Sequence, residues 1–199
     1  DVTELVALRE KEKVRLEKKG IKLTYLAFIA KACAAALQNH PWVNASIDDA
    51  TQEIVHKKYY HIGVAVDTED GLIVPVIRNV DQKNIVQLAQ EMQELAQKTR
   101  ERKASMEDLK GSTFTITNIG TLGGTYATPV INWPEVAILG VGKIQERAVV
   151  KDGKIIPRHM MTISLTFDHR IIDGAQAVRF ANEVLQHLED PGLFLVDVI

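Results

Sequence analysis

One stretch concentrates the side chains able to do chemistry: Ser164-Leu-Thr-Phe-Asp-His-Arg-Ile-Ile-Asp-Gly-Ala175. A strand-like run over residues 160–167 delivers His169 at its end, and Asp173-Gly174 opens an amphipathic helix four residues later. Histidine is the one side chain whose ordinary pKa lies near physiological pH, so it can take and return a proton there. A histidine held in a short strand-to-helix crossing is therefore a candidate general base. A lone histidine also serves as a satisfied structural residue, and spacing alone does not separate the two readings. Asp173 has its own local explanation, because with Gln176 three residues on it makes a capping box. Asp168 and Arg170, on either side of the histidine, read either as a structural pair or as solvated surface charges.

Other reactive residue types are sparse. The single cysteine, Cys33, falls in a run where Leu26, Ile29, Ala30 and Leu37 recur at helical spacing, so it reads as a buried small hydrophobe. One cysteine excludes an intrachain disulfide and fits a reducing compartment. No CxxC or paired-histidine spacing suggests a metal site. The glycines at 120, 123 and 124 lack the Lys-Ser/Thr ending of a phosphate-binding loop. With 24 basic and 26 acidic residues the charge is nearly balanced, which gives no electrostatic case for nucleic acid or a membrane surface. No apolar run reaches membrane-spanning length, and no secretory leader is read.

The elements that must position these residues follow from pattern. Residues 2–19 read as a charged surface helix with Val2, Leu5, Leu8, Val14 and Leu16 as an imperfect apolar stripe, ended by Gly20. Thr24 is expected to cap the next, Ala-rich helix. Residues 61–67 and 72–77 flank a turn and predict a hairpin. Ile85, Leu88, Met92 and Leu95 predict a third helix over 84–102. Buried strands are expected at 112–117 and 136–142, a second hairpin about Asp152-Gly153, and a last helix over 173–188. Trp42 and Trp133, each beside a proline, read as packing residues. Strands and helices mix without strict alternation, so a single α/β domain built as a mixed-sheet sandwich is expected.

The segment from His169 to Gly174 resembles the active-site signature of the dihydrolipoamide acyltransferases, the cores of 2-oxo acid dehydrogenase complexes. The likeness continues through Asp70-Gly-Leu-Ile-Val-Pro75, Phe114-Thr-Ile-Thr-Asn-Ile-Gly120, Gly123-Gly124-Thr125, Thr128-Pro-Val-Ile-Asn132 and Pro134-Glu-Val-Ala-Ile-Leu-Gly140, nearly the whole chain in family order. The resemblance implies a chloramphenicol-acetyltransferase-like fold. It also implies transfer of an acyl group from dihydrolipoamide to coenzyme A, with coenzyme A as substrate, the lipoyl group on a separate domain absent from this chain, and no metal.

Residue by residue, the resemblance makes His169 the base and puts Thr117 where relatives carry a Ser or Thr hydroxyl that donates to the developing oxyanion. On local pattern alone Thr117 is a β-branched residue suited to a strand. Asp173 matches an acid or Asn that orients the site. Asn118 and Gly120 are candidate contacts to coenzyme A, with turn geometry an equal explanation for the glycine. Residues 1–199 then read as an acyltransferase catalytic domain, truncated at its N-terminus and without lipoyl or subunit-binding domains.

A homotrimer is implied, with His169 and Thr117 supplied by different subunits and trimers assembling into a cubic or icosahedral core. Dehydrogenase components would join through the absent upstream domains. The tail 192–199, six of whose eight residues are apolar, either bridges trimers or docks on its own domain. The expected location is bacterial cytoplasm or the mitochondrial matrix. Acetyl is favoured as the acyl group because no spare cation near 123–138 would pair with a succinyl carboxylate. A branched-chain acyltransferase, a free-standing small-molecule O-acetyltransferase and a non-catalytic scaffold are the alternatives.

Overall fold

The computed structural model describes residues 1–69 and 71–196. Helices α1 (Thr3–Glu17) and α2 (Tyr25–Asn39) precede a small hairpin of β1 (Ala45–Asp48) and β2 (Glu53–His56). Then come β3 (Ile62–Val64), β4 (Val66–Thr68), β5 (Gly71–Ile73) and β6 (Val76–Ile77), helix α3 (Ile85–Arg100), and strands β7 (Phe114–Asn118) and β8 (Ala137–Val141). A ribbon of β9 (Gln145–Lys151) and β10 (Lys154–Met160), strand β11 (Ile163–Phe167), helix α4 (Gly174–Glu189) and a 3₁₀ turn (Pro191–Leu195) follow.

Five strands form the central sheet in the order β11-β8-β7-β3-β6. The β3-β7 and β7-β8 pairs are parallel, while β8-β11 and β3-β6 are antiparallel. Strand side chains alternate between faces, and here the alternation divides the labour. Ile62, Phe114, Ile116, Ala137, Leu139 and Val141 point into one core with the apolar sides of α2, α3 and α4. Burying a large aliphatic or aromatic side chain contributes about 1.5–3 kcal/mol, so this face anchors the sheet. The alanines of α2 let it approach closely, and Cys33 lies fully buried among them. Its thiol pKa is pushed well up by burial, which keeps it an inert apolar filler.

Several elements depart from the sequence expectation. The 61–77 hairpin breaks in two: β3 and β6 enter the central sheet, while β4 and β5 form a separate ribbon. The run 160–167 is also divided, because Met160 ends β10 and the strand leading to the histidine begins at Ile163. Thr24 stands at the N-cap of α2, but its side chain makes no capping bond. Val14 is exposed rather than part of the stripe of α1. The β1-β2 hairpin is an addition to the expected elements. In the tail, Phe194 packs on Phe28 at 5.9 Å between ring centroids, while Leu195 and Val196 are exposed, so the described part both docks and projects. Residues 197–199 and Asp70, which belong to the tail and to one family motif, lie outside the described residues.

Candidate active site

His169 sits on a turn that is pinned on both sides. Before it, the Asp168 amide donates to the Val136 carbonyl at 2.8 Å, tying the turn to the start of β8. After it, Ile171 and Ile172 are buried, and both their amides donate to the Asp168 carbonyl. Asp168 also accepts at its carboxylate from the Arg170 amide and, twice over, from the Arg170 guanidinium. These guanidinium bonds hold the Asp168 carboxyl below the usual range against a smaller opposing effect of burial. The expected pairing of the flanking residues is thus present: it ties the exposed Arg170 side chain to Asp168 and leaves the neighbouring His169 exposed as well. Its imidazole is exposed, lies 5.5 Å from the Phe167 ring, and makes no hydrogen bond among the described residues.

Asp173 caps α4 in the expected manner. Its carboxylate accepts from the Gln176 amide at 2.8 Å, and the Gln176 side chain accepts from the Asp173 amide at 3.0 Å. Together with Trp42, Arg170 and Gln176, the two residues line a shallow cleft of about 260 Å³. Trp42 is half-exposed and stands edge-on to His56 at 4.7 Å. Beside the cleft it has a position that the packing reading did not anticipate.

Thr117, Asn118 and Gly120 gather at the far end of β7. Thr117 pairs with Gly140 of β8, which pairs with Ser164 of β11. It points to the sheet face opposite the helices, and its hydroxyl has no hydrogen-bond partner among the described residues. Asn118 accepts from the Gly120 amide at 2.9 Å, shaping the turn that follows. A Cβ on Gly120 would come within 2.6 Å of the Gly142 carbonyl oxygen, so close backbone packing accounts for this glycine.

The segment 123–134 runs across this second face as a strap. Lys143 donates its amide to the Gly124 carbonyl, Thr125 lies against Gly142, and Pro129 lies against Gly140 beside Thr117. On its outer side Tyr126, Val130 and Trp133 are 70%, 88% and 80% exposed. Trp133 therefore does not pack within its own chain, contrary to expectation: the strap turns it away from the sheet. The strap ends at Glu135, a buried acid that the sequence reading passed over. Two of its partners, Ser112 and Thr115, lie more than fifteen residues away and meet it only through the sheet.

The register separates His169 from Thr117 within one chain. The Ser164 row that holds Thr117 is three residues from the Phe167 row, which is roughly 10 Å along the strand. Thr117 also lies two strands from β11, roughly another 10 Å across. By this reckoning the two side chains stand well apart within one copy. Among the described residues no group of three or more His, Cys, Asp or Glu side chains is placed to hold a metal. No helix among them is long and apolar enough to cross a membrane.

A pinned outward histidine four residues before a capping acid, on a mixed sheet whose other face offers a free hydroxyl, matches a known pattern. Residues 1–196 fit the family described as 2-oxoacid dehydrogenases acyltransferase (catalytic domain). The chain belongs to this family. It is 49% identical over 197 residues to the dihydrolipoyllysine-residue acetyltransferase component of the pyruvate dehydrogenase complex of Bacillus subtilis strain 168. That match takes in 99% of this chain and 45% of the relative, so the chain spans less than half the relative's length. Among solved structures, a dihydrolipoamide acetyltransferase of Azotobacter vinelandii superposes with a TM-score of 0.94 at 50% identity, covering 98% of this chain and 81% of that one. It was studied for the role of a serine, a histidine and an asparagine in its catalytic mechanism. The cubic core of a pyruvate dehydrogenase multienzyme complex matches with a TM-score of 0.94 at 49% identity over the same shares. Chloramphenicol acetyltransferase, at 17% identity and a TM-score of 0.57 over 87% of this chain and 81% of that one, shares the fold alone. The expected family and fold class are both borne out.

Proposed function

We propose that this chain transfers an acetyl group between dihydrolipoamide and coenzyme A, with His169 as general base and Thr117 as oxyanion donor. The observation that carries the reading is a coincidence of spacing. In the Azotobacter enzyme the serine precedes the histidine by 52 positions and the asparagine follows it by four. Thr117, His169 and Asp173 keep both intervals. The departures are conservative: threonine for serine retains the hydroxyl, and aspartate for asparagine retains the helix cap.

The chemistry follows from the residues. A free thiol with a pKa near ~8.5 is only slightly ionised at neutral pH. His169, in its neutral form, accepts the thiol proton of coenzyme A as sulfur attacks the acyl carbonyl. The new carbon–sulfur bond forms, the carbonyl oxygen becomes anionic, and the Thr117 hydroxyl donates to it. Collapse breaks the bond to the dihydrolipoamide sulfur, and His169 returns the proton to that sulfur. Exchange between two thioesters is nearly isoenergetic, so the same residues serve both directions. Asp173 fixes the start of α4 behind the histidine. Asn118 and Gly120 shape the backbone that would face coenzyme A beside Thr117. The lipoyl group enters as substrate from a separate domain, and no metal takes part.

Because one chain holds its base and its donor apart, we propose that the site closes between copies in a trimer. The bared Tyr126, Val130 and Trp133 supply an apolar contact surface of the kind such an interface buries. Trimers would assemble further into a cubic core like that of the related complex, or an icosahedral one, and dehydrogenase components would join through other domains. The named bacterial relatives favour acetyl over a branched acyl group and the bacterial cytoplasm over the mitochondrial matrix.

The test is turnover with free dihydrolipoamide and acetyl-CoA. His169→Ala should lose ~10²–10⁴ in turnover while sedimentation shows the assembly unchanged. Activity within a few-fold of the parent would sink the assignment. Isobutyryl-CoA used ahead of acetyl-CoA would move the chain to the branched-chain reading, and a succinyl preference would overturn the acyl assignment.

A further inference from the structure

The buried acid at the end of the strap is not used by the chemistry above. Glu135 is 6% exposed. One carboxyl oxygen accepts from three donors: the Ser112 hydroxyl, the Thr115 hydroxyl at 2.9 Å and the Asn132 side-chain amide at 3.1 Å. The Asn132 amide also reaches the Thr115 hydroxyl at 3.3 Å, and the Glu135 amide donates to the Asn132 carbonyl at 3.0 Å. The other carboxyl oxygen is buried without a partner among the described residues. The neighbouring strand makes room with a glycine, because a Cβ on Gly63 would come within 2.8 Å of the Thr115 hydroxyl.

Such a cluster is costly. A buried acid with an unmatched oxygen loses solvation that its hydrogen bonds only partly replace. Apolar packing would fasten a loop to a sheet more stably. Sequences hold such costs where placement matters more than stability. The acid's position says what is placed. Thr115 lies two residues before Thr117 on the same strand and face. Val136, the next residue after Glu135, holds the turn of His169 through its carbonyl. The strap that Glu135 terminates carries Pro129 over Gly140, the β8 partner of Thr117.

We propose that Glu135 is a positioning residue for acyl transfer. Its carboxyl pins the end of the 123–134 strap to β7, so that strap and strand together hold the Thr117 hydroxyl where the oxyanion forms. This rests on the Thr117 assignment above. The pin is a matter of hydrogen bonding, so an amide of the same shape should serve and an apolar isostere should not.

Four variants of the chain decide it: Glu135→Gln, Glu135→Leu, Thr117→Val and the double variant Glu135→Leu/Thr117→Val. Each is assayed for kcat and for KM toward coenzyme A, with circular dichroism and sedimentation reporting fold and assembly. Glu135→Leu should lower kcat by about 10–100-fold, the scale of a small misplacement, with KM little changed, while Glu135→Gln stays close to the parent. In the Thr117→Val background the leucine change should cost no more than about two-fold, because both act on one interaction. Full additivity, or Glu135→Leu at parental turnover, would overturn the positioning role and leave the Thr117 assignment standing. Parental turnover in Thr117→Val would remove the assignment and the inference with it. Should Glu135→Leu fail to fold, Glu135→Gln and Asn132→Ala carry the same comparison: the first near the parent, the second lowering kcat only where Thr117 is present. A loss in Asn132→Ala that persists without Thr117 refutes the proposal.

Discussion

The two faces of the central sheet are built from the same strands and do different work. On the helix side Ile62, Phe114, Ile116 and Leu139 are fully buried among the apolar faces of α2, α3 and α4. On the other side Thr113, Thr115 and Thr117 alternate with them, Gly63 and Gly140 leave gaps, and a strap rather than a helix lies across. The first face relies on burial, which is strong and non-directional. The second relies on hydroxyls, a carboxyl and missing side chains, which contribute less to stability but fix atoms in place. Ile116 and Thr117 are adjacent in sequence and belong to opposite tasks.

Substitutions on the two faces should therefore fail in different currencies. The largest effect is expected from Ile116→Ala, which should cost about 2–5 kcal/mol in a denaturant titration, with the surviving folded fraction still turning over. Thr117→Val, one residue on, should lose ~10²–10³ in turnover with its melting temperature nearly unchanged, and Thr117→Ser should remain active. If Val and Ser behaved alike, the second face would have no catalytic hydroxyl. At the edge of both tasks, Asp173→Ala should cost about 1 kcal/mol through the lost cap, and Asp173→Asn should restore it. The smallest effect concerns Glu135. Burial raises its folded pKa above the unfolded value, so the folded chain holds that proton across the interval between the two. Its contribution to stability is full below the ordinary carboxylate pKa and is lost as pH rises through the folded one. Thermal melts across mildly acidic pH should show this decline in the parent and not in Glu135→Gln.

Much of this arrangement was legible because its signals are local. The capping box Asp173/Gln176 is written three residues apart, and it is present; the structure adds a second of the same spacing, Asn84/Gln87. The apolar spacing of α3 and α4 marked the helices for the same reason. The β1-β2 hairpin escaped notice because its four-residue strands show no alternating burial. Thr117 as a strand residue was readable, but its hydroxyl looked like any β-branched side chain until the family likeness singled it out. Glu135 gave no signal, since two of its partners, Ser112 and Thr115, are far away in sequence and come beside it only through the parallel pairing of β7 with β8. Trp133 was misread because a tryptophan beside proline suggests packing, and nothing nearby says that the strap would turn it outward.

The separation of His169 from Thr117 along the register has a genetic consequence. If each site takes its base from one copy and its donor from the next, a chain lacking only His169 still lends a sound hydroxyl, and a chain lacking only Thr117 still lends a sound base. Two such inactive proteins, unfolded and refolded together, should regain activity through the mixed interfaces. A chain lacking both would instead silence the site on either side of it and act as a poison subunit out of proportion to its abundance.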